Sequence, residues 1–271
     1  MLLGGFDGLH IGHRRLVSHA LSYSLPVGAM TIVGGKERGN LFTFLEREEI
    51  FRAAGVDFLF ELPFEEIKSL TPQEFLSLLE REFFPRGYVC GEDFRFGKGA
   101  LGNAQTLKEH TQVRVDCLPL VETDGQKVSA TAVKNLLCLG ETEKANALLG
   151  EPFFLIGKVE KDRQVGRRIG FPTANIPYPI GKYPLKEGVY ETRVTVDGKE
   201  YRCITNFGAR PTFEDEKVVT ETYLDGFSGD LYGRELKVEF LRYLRPVQKF
   251  ATADDLKAQL TKDIKRVRDH D

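Results

Sequence analysis

Two histidines three residues apart stand at the end of a glycine turn, in Gly4-Gly5-Phe6-Asp7-Gly8-Leu9-His10-Ile11-Gly12-His13. Glycines let backbone N–H groups come close to an anion, and a helix that starts at such a turn adds partial positive charge at its N-terminus. His10 and His13 can present both imidazoles to one side of the first turn and donate to phosphate oxygens. Gly4, Phe6, Asp7 and Gly8 frame the same turn. The chemistry that fits is transfer between phosphates, which needs no protein nucleophile when the attacking group is itself a phosphate. The plainer reading is a glycine turn with two surface histidines.

A second constellation is Gly166-Arg167-Arg168-Ile169-Gly170-Phe171-Pro172-Thr173-Ala174-Asn175. Thr173 and Asn175 offer oxygen ligands two residues apart, on one face if the backbone is extended. Mg²⁺ takes oxygen ligands and usually takes some of them from substrate phosphates. A neutral amide leaves the charge of the ion for those phosphates. The plainer reading is a Gly-Pro turn with a polar asparagine cap.

These residues need elements to hold them. Up to about residue 150, short apolar runs at 2–3, 27–33, 57–62, 87–90 and 113–121 alternate with helical stretches at 11–24, 46–54 and from 71 onward. In the last of these Thr71 is an N-cap, Pro72 suits the first helical position and Glu74 completes a capping box. Strands alternating with helices predict a parallel sheet with helices on both faces. Beyond residue 150 the pattern turns to strands at 153–159, 188–196, 200–206, 220–223 and 235–244, with turns such as Asp197-Gly198 between them. Short strands of this kind predict a closed barrel. The chain then closes on a helix from Thr252 to Arg268, acidic at its start and basic at its end, as the helix dipole favours. The expected layout is α/β then β: a doubly wound, parallel-sheet, Rossmann-like domain over 1–150, then a β-barrel domain with a terminal helix over 151–271. Gly140 to Gly150 is expected to join them.

Hydrophobic residues make up 41% of the 271 and charged residues 29%, enough apolar material for two cores. No apolar run approaches the ~18–20 residues that span a bilayer, and the N-terminus lacks the features of a signal peptide. A cytoplasmic location and no membrane partner are therefore expected. The net charge of −2 argues against a nucleic-acid partner. Cys90, Cys117, Cys138 and Cys203 show no metal-ligand spacing and read as reduced, mostly buried thiols. The expected assembly is a monomer or a weak homo-oligomer.

The first motif resembles that of the HxGH nucleotidyltransferases, and two further segments narrow the resemblance. Gly91-Glu92-Asp93-Phe94-Arg95-Phe96-Gly97-Lys98-Gly99 is similar to the G-x-D-F-x-F-G loop of the bacterial bifunctional riboflavin kinase/FMN adenylyltransferases. Val128-Ser129-Ala130-Thr131-Ala132-Val133-Lys134 is similar to their I-S-S-T-x-I-R segment. The resemblance implies ATP at the strand ends, with His10 and His13 on its phosphates and Ser129, Thr131 and Lys134 in support. It also implies that Asp93, Phe94, Arg95 and Gly97 hold the flavin nucleotide. The chain departs from the family at Ala130, at Lys134, which keeps the charge of an arginine but loses its fork, and at Thr31-Ile32-Val33-Gly34-Gly35-Lys36, where the family carries an F-x-P-H-P-like segment.

The match is densest from 157 to 250. It runs through G-F-P-T-A-N at 170–175, Gly188-Val189-Tyr190, Asn206 to Phe213, Gly229 to Arg234, and Leu244-Arg245 with Lys249-Phe250. It implies Glu221, eight residues before Gly229, as the base for the ribityl 5′-hydroxyl, and Thr173 and Asn175 as Mg²⁺ ligands. It further implies a loop bracketed by Gly157 and Gly166-Arg167 that closes over ATP. Arg210 and Arg245 stand as flavin or phosphate contacts or, equally, as structural ion pairs. Gly226 takes the place of an aspartate that the family often has before Phe227.

The implied activity is phosphorylation of riboflavin to FMN in the second domain and adenylylation of FMN to FAD in the first. ATP is the co-substrate, Mg²⁺ the cofactor, and FMN and FAD are the products. Three readings compete. A riboflavin kinase with a degenerate first half is favoured by Ala130, Lys134 and the altered 31–36 segment. A non-catalytic flavin-binding protein would need neither Glu221 nor Thr173 and Asn175. A cytidylyltransferase built on the first motif alone leaves the second domain unexplained.

Overall fold

In the computed structural model, which describes residues 1–34, 39–161, 170–211 and 216–269, the chain divides into two compact units, Met1–Ala132 and Val133–Asp271. The first unit runs β1 (Leu2–Leu3), α1 (Ile11–Leu21), β2 (Gly28–Val33), α2 (Phe44–Ala53), β3 (Phe58–Pro63), α3 (Phe64–Ile67), α4 (Pro72–Phe83), β4 (Gly87–Gly91), β5 (Arg95–Phe96), β6 (Gly102–Asn103), α5 (Ala104–His110), β7 (Arg114–Leu118), β8 (Glu122–Thr123) and β9 (Gln126–Lys127). Helix α6 (Ala130–Leu139) crosses the division.

Strands β3-β2-β1-β4-β7 form a five-stranded sheet whose pairs are all parallel. Register explains its two faces. Leu3 pairs with Met30 and Cys90, and all three are buried with Phe75, Leu76 and Leu79 of α4 and Leu107 of α5. Leu2 pairs with Ala29 on one side and Val89 on the other, and the three turn to the opposite face. The Thr71 capping box forms as expected, and a second one at Thr43 and Glu46 starts α2. Burying Phe75 and Leu79 contributes roughly 2–3 kcal/mol each.

The second unit continues with α7 (Thr142–Leu149), β10 (Phe153–Lys158), β11 (Thr173–Pro177), β12 (Gly188–Val196), β13 (Lys199–Pro211), β14 (Glu216–Leu224), β15 (Glu235–Arg245) and α8 (Ala253–Arg268). The segment between Gly140 and Gly150 holds a helix, α7. Gly150, in the left-handed region at φ +75°, ends α7 as a C′ glycine. Asn146 ties α7 to the barrel, donating to Phe240 O and accepting from Phe153 N, both at 2.8 Å.

The six strands lie in the order β10-β15-β12-β13-β14-β11, with every pair antiparallel. The two edge strands meet through the Glu160–Asn175 bridge, where Glu160 N donates to Asn175 O at 2.9 Å. Tyr190, Val194, Val238 and Phe240 are fully buried, and the hydroxyls of Thr192, Thr205 and Thr222 form a buried hydrogen-bonded row. All four cysteines are free thiols. Cys90 and Cys203 are buried, Cys117 is half-buried and Cys138 is exposed, fewer buried than expected. Burial pushes the Cys90 thiol up to about 12, which suits a packing role.

Candidate active site

The strand order of the first unit reverses between β1 and β4, the place where doubly wound sheets bind ligands at their carboxyl ends. The chain leaving β1 enters the Gly4–His13 turn, and the chain leaving β4 enters the 91–99 loop. Topology thus brings together two motifs far apart in the sequence, at 4–13 and 91–99. A hollow of about 380 Å³ lies there, lined by Gly4, Phe6, Asp7, His10 and His13 and by Asp93, Phe94, Arg95, Lys127 and Ser129. A more apolar hollow of about 320 Å³, walled by Phe58, Phe60, Phe83 and Phe84, sits away from both motifs.

His10 is the N-cap of α1, and its Nδ1 accepts the His13 backbone N–H at 3.2 Å. The neutral ring therefore carries its proton on Nε2. Burial, reinforced by the adjacent His13, lowers His10 to about 3, so it is an uncharged donor at neutral pH. His13 Nδ1 donates to Gly8 O at 2.8 Å, which also directs Nε2 away from the turn. The two rings stack with centroids 3.6 Å apart. Phe6 lies edge-on to His13 at 4.7 Å. Its own φ is +32°, a left-handed backbone that costs a non-glycine residue roughly 1–2 kcal/mol.

A second helix N-terminus opens on this hollow. Ser129 Oγ accepts the Ala132 N–H at 3.2 Å and caps the start of α6. Two helix N-termini around one hollow make an anion site. Lys127 adds a cation and is ion-paired with Asp93. Thr131 is exposed and does not line the hollow. Nor does Lys134, whose ammonium stands 5.1 Å from the centroid of the Tyr183 ring. Gly97 serves the loop's own path: its φ is +73°, and a Cβ there would sit 2.8 Å from Pro72 N.

The second unit assembles its site by register. Asn175 pairs with Glu221 across β11 and β14, and Glu221 pairs with Asn206 across β14 and β13. Directly opposed residues of antiparallel strands project to one face, so the three form a row. Thr173, Ile204 and Tyr223, two residues along, share that face. It is the face covered by α8, whose Ile264 and Val267 pack on Val189, Ile204 and Leu244.

The row borders two hollows. One, of about 290 Å³, has walls from Phe171, Val189, Ile204 and Tyr223 and from Leu256 and Leu260 of α8, with Glu221 and Asn206 among its polar lining. The other, of about 550 Å³, is lined by Pro172 to Asn175 and by Phe227 to Tyr232. Thr173 lines both. Asn175 Nδ2 donates to Thr173 O at 3.4 Å, which assigns Oδ1 as the amide's ligand atom. Among the described residues no group of three or more His, Cys, Asp or Glu gathers to hold a metal. A hydroxyl and an amide oxygen suit a hard divalent ion that completes its shell from substrate phosphates and water.

Arg245 is a structural ion pair and a wall at once. It grips Asp263 of α8 at 2.7 and 3.0 Å while lining the smaller hollow. Gly157 lies within β10, where a Cβ would come within 2.4 Å of Ile176, so its evident role is close approach of β10 to β11. Gly166, Arg167 and the Arg210 side chain lie outside the described residues, as do Gly35 and Lys36 of the altered segment.

Residues 1–132 match the family model described as FAD synthetase, and residues 149–270 match that described as riboflavin kinase. The bifunctional riboflavin kinase/FMN adenylyltransferase of Bacillus subtilis (strain 168) is 31% identical over 97% of this chain and 89% of its own length. That of Escherichia coli (strain K12) is 33% identical over 97% of this chain and 90% of its own. The chain belongs to the bifunctional riboflavin kinase/FMN adenylyltransferase family. A crystal structure from Streptococcus pneumoniae, described as a macrolide-efflux protein, has a TM-score of 0.89 at 30% identity and covers 100% of this chain and 93% of that one. No helix among the described residues is long and apolar enough to cross a membrane.

This bifunctional riboflavin kinase/FMN adenylyltransferase phosphorylates riboflavin to FMN in its second domain and adenylylates FMN to FAD in its first, with ATP in both reactions. A degenerate first half and a non-catalytic binding protein are not favoured. Two residues of the sites were not singled out in the sequence. Asn206 was read only as part of a motif, and strand pairing alone sets it beside Glu221. Lys127 lies on the two-residue strand β9, and no motif in the sequence marks it.

Proposed function

We propose that Glu221 is the base of the kinase reaction and that His10 and His13 are the phosphate donors of adenylyl transfer. In the second unit riboflavin occupies the hollow under α8, between Phe171 and Tyr223 on one side and Leu256 and Leu260 on the other. ATP occupies the adjoining hollow beside Thr173 and Gly229 to Tyr232. Glu221 takes the proton of the ribityl 5′-hydroxyl as that oxygen attacks the γ-phosphorus and ADP leaves. Thr173 and Asn175 are the residues suited to hold Mg²⁺, which when bound offsets charge on the phosphates. Asn206, beside Glu221 in the row, orients the carboxylate or the hydroxyl.

In the first unit a phosphate oxygen of FMN attacks the α-phosphorus of ATP and pyrophosphate leaves. His10 donates from Nε2 as a neutral ring, whereas His13, whose Nδ1 proton goes to Gly8 O, donates from Nε2 as the doubly protonated imidazolium. The N-termini of α1 and α6 supply further donors, and Asp93, Phe94 and Arg95 hold the flavin nucleotide. The enzyme acts on small molecules in the cytoplasm as a monomer or weak homo-oligomer, and its net charge of −2 argues against a nucleic-acid partner.

The observation that carries this reading is the Asn175–Glu221–Asn206 row at the border of two hollows, one of them bounded by an aromatic pair. Flavin chromatography on single-site variants tests it. Glu221→Gln should still convert supplied FMN to FAD while failing to make FMN from riboflavin. His13→Ala should do the reverse. Either variant losing both activities, or neither, would refute the assignment.

A further inference from the structure

The first unit holds a buried cation that its hollow does not use. Arg47, on α2, is 2% exposed and does not line the hollow. Burying a guanidinium is costly unless it is well paired. Arg47 Nη2 meets Glu61 Oε1 at 2.6 Å, and Nη1 donates to Thr31 Oγ1 at 2.9 Å, while Nε has no hydrogen-bond partner. A core position that retains such a group needs a reason beyond packing.

Thr31 shows where the charge is directed. Its hydroxyl donates toward the carbonyls of both Gly5 and Phe6, each at 3.3 Å. Because Arg47 occupies an oxygen lone pair, the hydroxyl proton is left to face the turn. Those carbonyls flank the residue in the left-handed region, Phe6, which is 1% exposed. A non-glycine residue keeps that conformation only when its surroundings impose it. Helix α2 also grips the turn from a second side. Phe51, one helical turn beyond Arg47, meets the Phe6 ring edge-on at 5.6 Å. The other edge of the linkage is the Phe6–His13 ring contact at 4.7 Å.

We propose that Arg47 and Thr31 are positioning residues for adenylyl transfer: Arg47, through the Thr31 hydroxyl, holds the Gly5–Phe6 turn in the one conformation that aims His13. Neither residue touches substrate. Thr31 opens the segment that departs from the family's F-x-P-H-P-like pattern, so part of that segment has a structural task. The inference rests on the assignment of His13 to adenylyl transfer.

The full chain carries its own control, because riboflavin phosphorylation occurs in the other unit. Thr31→Val keeps the shape and removes the hydroxyl. Arg47→Met removes the charge, and Arg47→Lys keeps it with one fewer geometry of donation. FAD formation from supplied FMN and ATP should fall roughly 10- to 100-fold in kcat for Thr31→Val and Arg47→Met, as expected for a misplaced catalytic group. KM for ATP should move less than about threefold, and FMN formation should be unchanged. Arg47→Lys should recover part of the loss. The double variant should be no worse than the poorer single one, because both act through one linkage.

Thr31→Val with FAD formation within about threefold of the parent overturns the proposal, as do losses that add in the double variant. If Arg47→Met unfolds the first unit, shown by loss of its melting transition, Thr31→Val alone decides. His13→Ala separates the two levels. Retained FAD formation in His13→Ala sinks the histidine assignment, whereas its loss alongside a normal Thr31→Val sinks only the positioning role.

Discussion

The two units place their reactive groups by opposite means. The first concentrates them in one turn, where a neutral His10 follows a left-handed Phe6, with the buried Arg47 of α2 behind it. The second spreads them along three ordinary strands, where pairing alone brings Asn175, Glu221 and Asn206 into a row. A turn can cradle phosphate with backbone N–H groups and helix ends, but its geometry must be held against strain. A sheet holds its side chains with no strain at the site, but offers no concentrated dipole, so it suits a carboxylate base and hydroxyl and amide oxygens. The difference teaches that the turn should be sensitive to distant support and to protonation, and the sheet to its individual side chains.

The sharpest way to break this comparison is Glu221→Gln. FMN formation should fall roughly 10²- to 10⁴-fold, the range for loss of a general base, with FAD formation from FMN unaffected. His10→Ala should reduce FAD formation by about 10²- to 10³-fold, the effect of one lost oxyanion-type donor, with kinase turnover intact. Asp263→Asn should destabilise the second unit by about 3 kcal/mol, because it leaves the Arg245 guanidinium partly buried without its counter-charge. Thermal melting checks this. The flavin affinity of the kinase should fall with it, since α8 walls the smaller hollow. Asn206→Ala should lower kinase turnover by about 10-fold, the worth of one hydrogen bond at a transition state.

The last contrast between the two units is the pH response. An unfolded His10 binds a proton near 6.5, whereas the folded residue does so only near 3. Between those values the unfolded state carries the extra proton. The first unit is therefore fully stabilised above 6.5 and loses stability as pH falls toward 3, by at most about 1.4 kcal/mol per pH unit from this group. Acid titration followed by calorimetry should show the first unit melting before the second. A second unit that fails first would contradict the contrast between the two sites.

Much of this was legible in the residues. The Thr71 cap, the alternation that gives the parallel sheet, the strand-rich second half and the polarity of α8 all follow from local rules that act within a few residues. The glycine turn with His10 and His13 was legible as a candidate site for the same reason, since its residues lie within ten consecutive positions, and the structure brings it together with the 91–99 loop around one hollow. The helix within the Gly140–Gly150 segment was not legible in the same way: it is only eight residues long, and Asn146 docks it on β10 and β15 through contacts far apart in the chain.

The sequence alone therefore determined most of the elements, the two-part plan and the glycine turn that carries His10 and His13, because each depends on neighbours along the chain. The tertiary structure decided what no local rule contains. It placed Asn206 beside Glu221 through strand register, set Lys127 rather than Lys134 in the lining of the histidine hollow, and gave Arg245 to Asp263. It also bound Arg47 to a turn some forty residues earlier. Register, helix docking and the burial of a charge are settled by free energy summed over distant contacts, and that sum exists only once the chain has closed on itself.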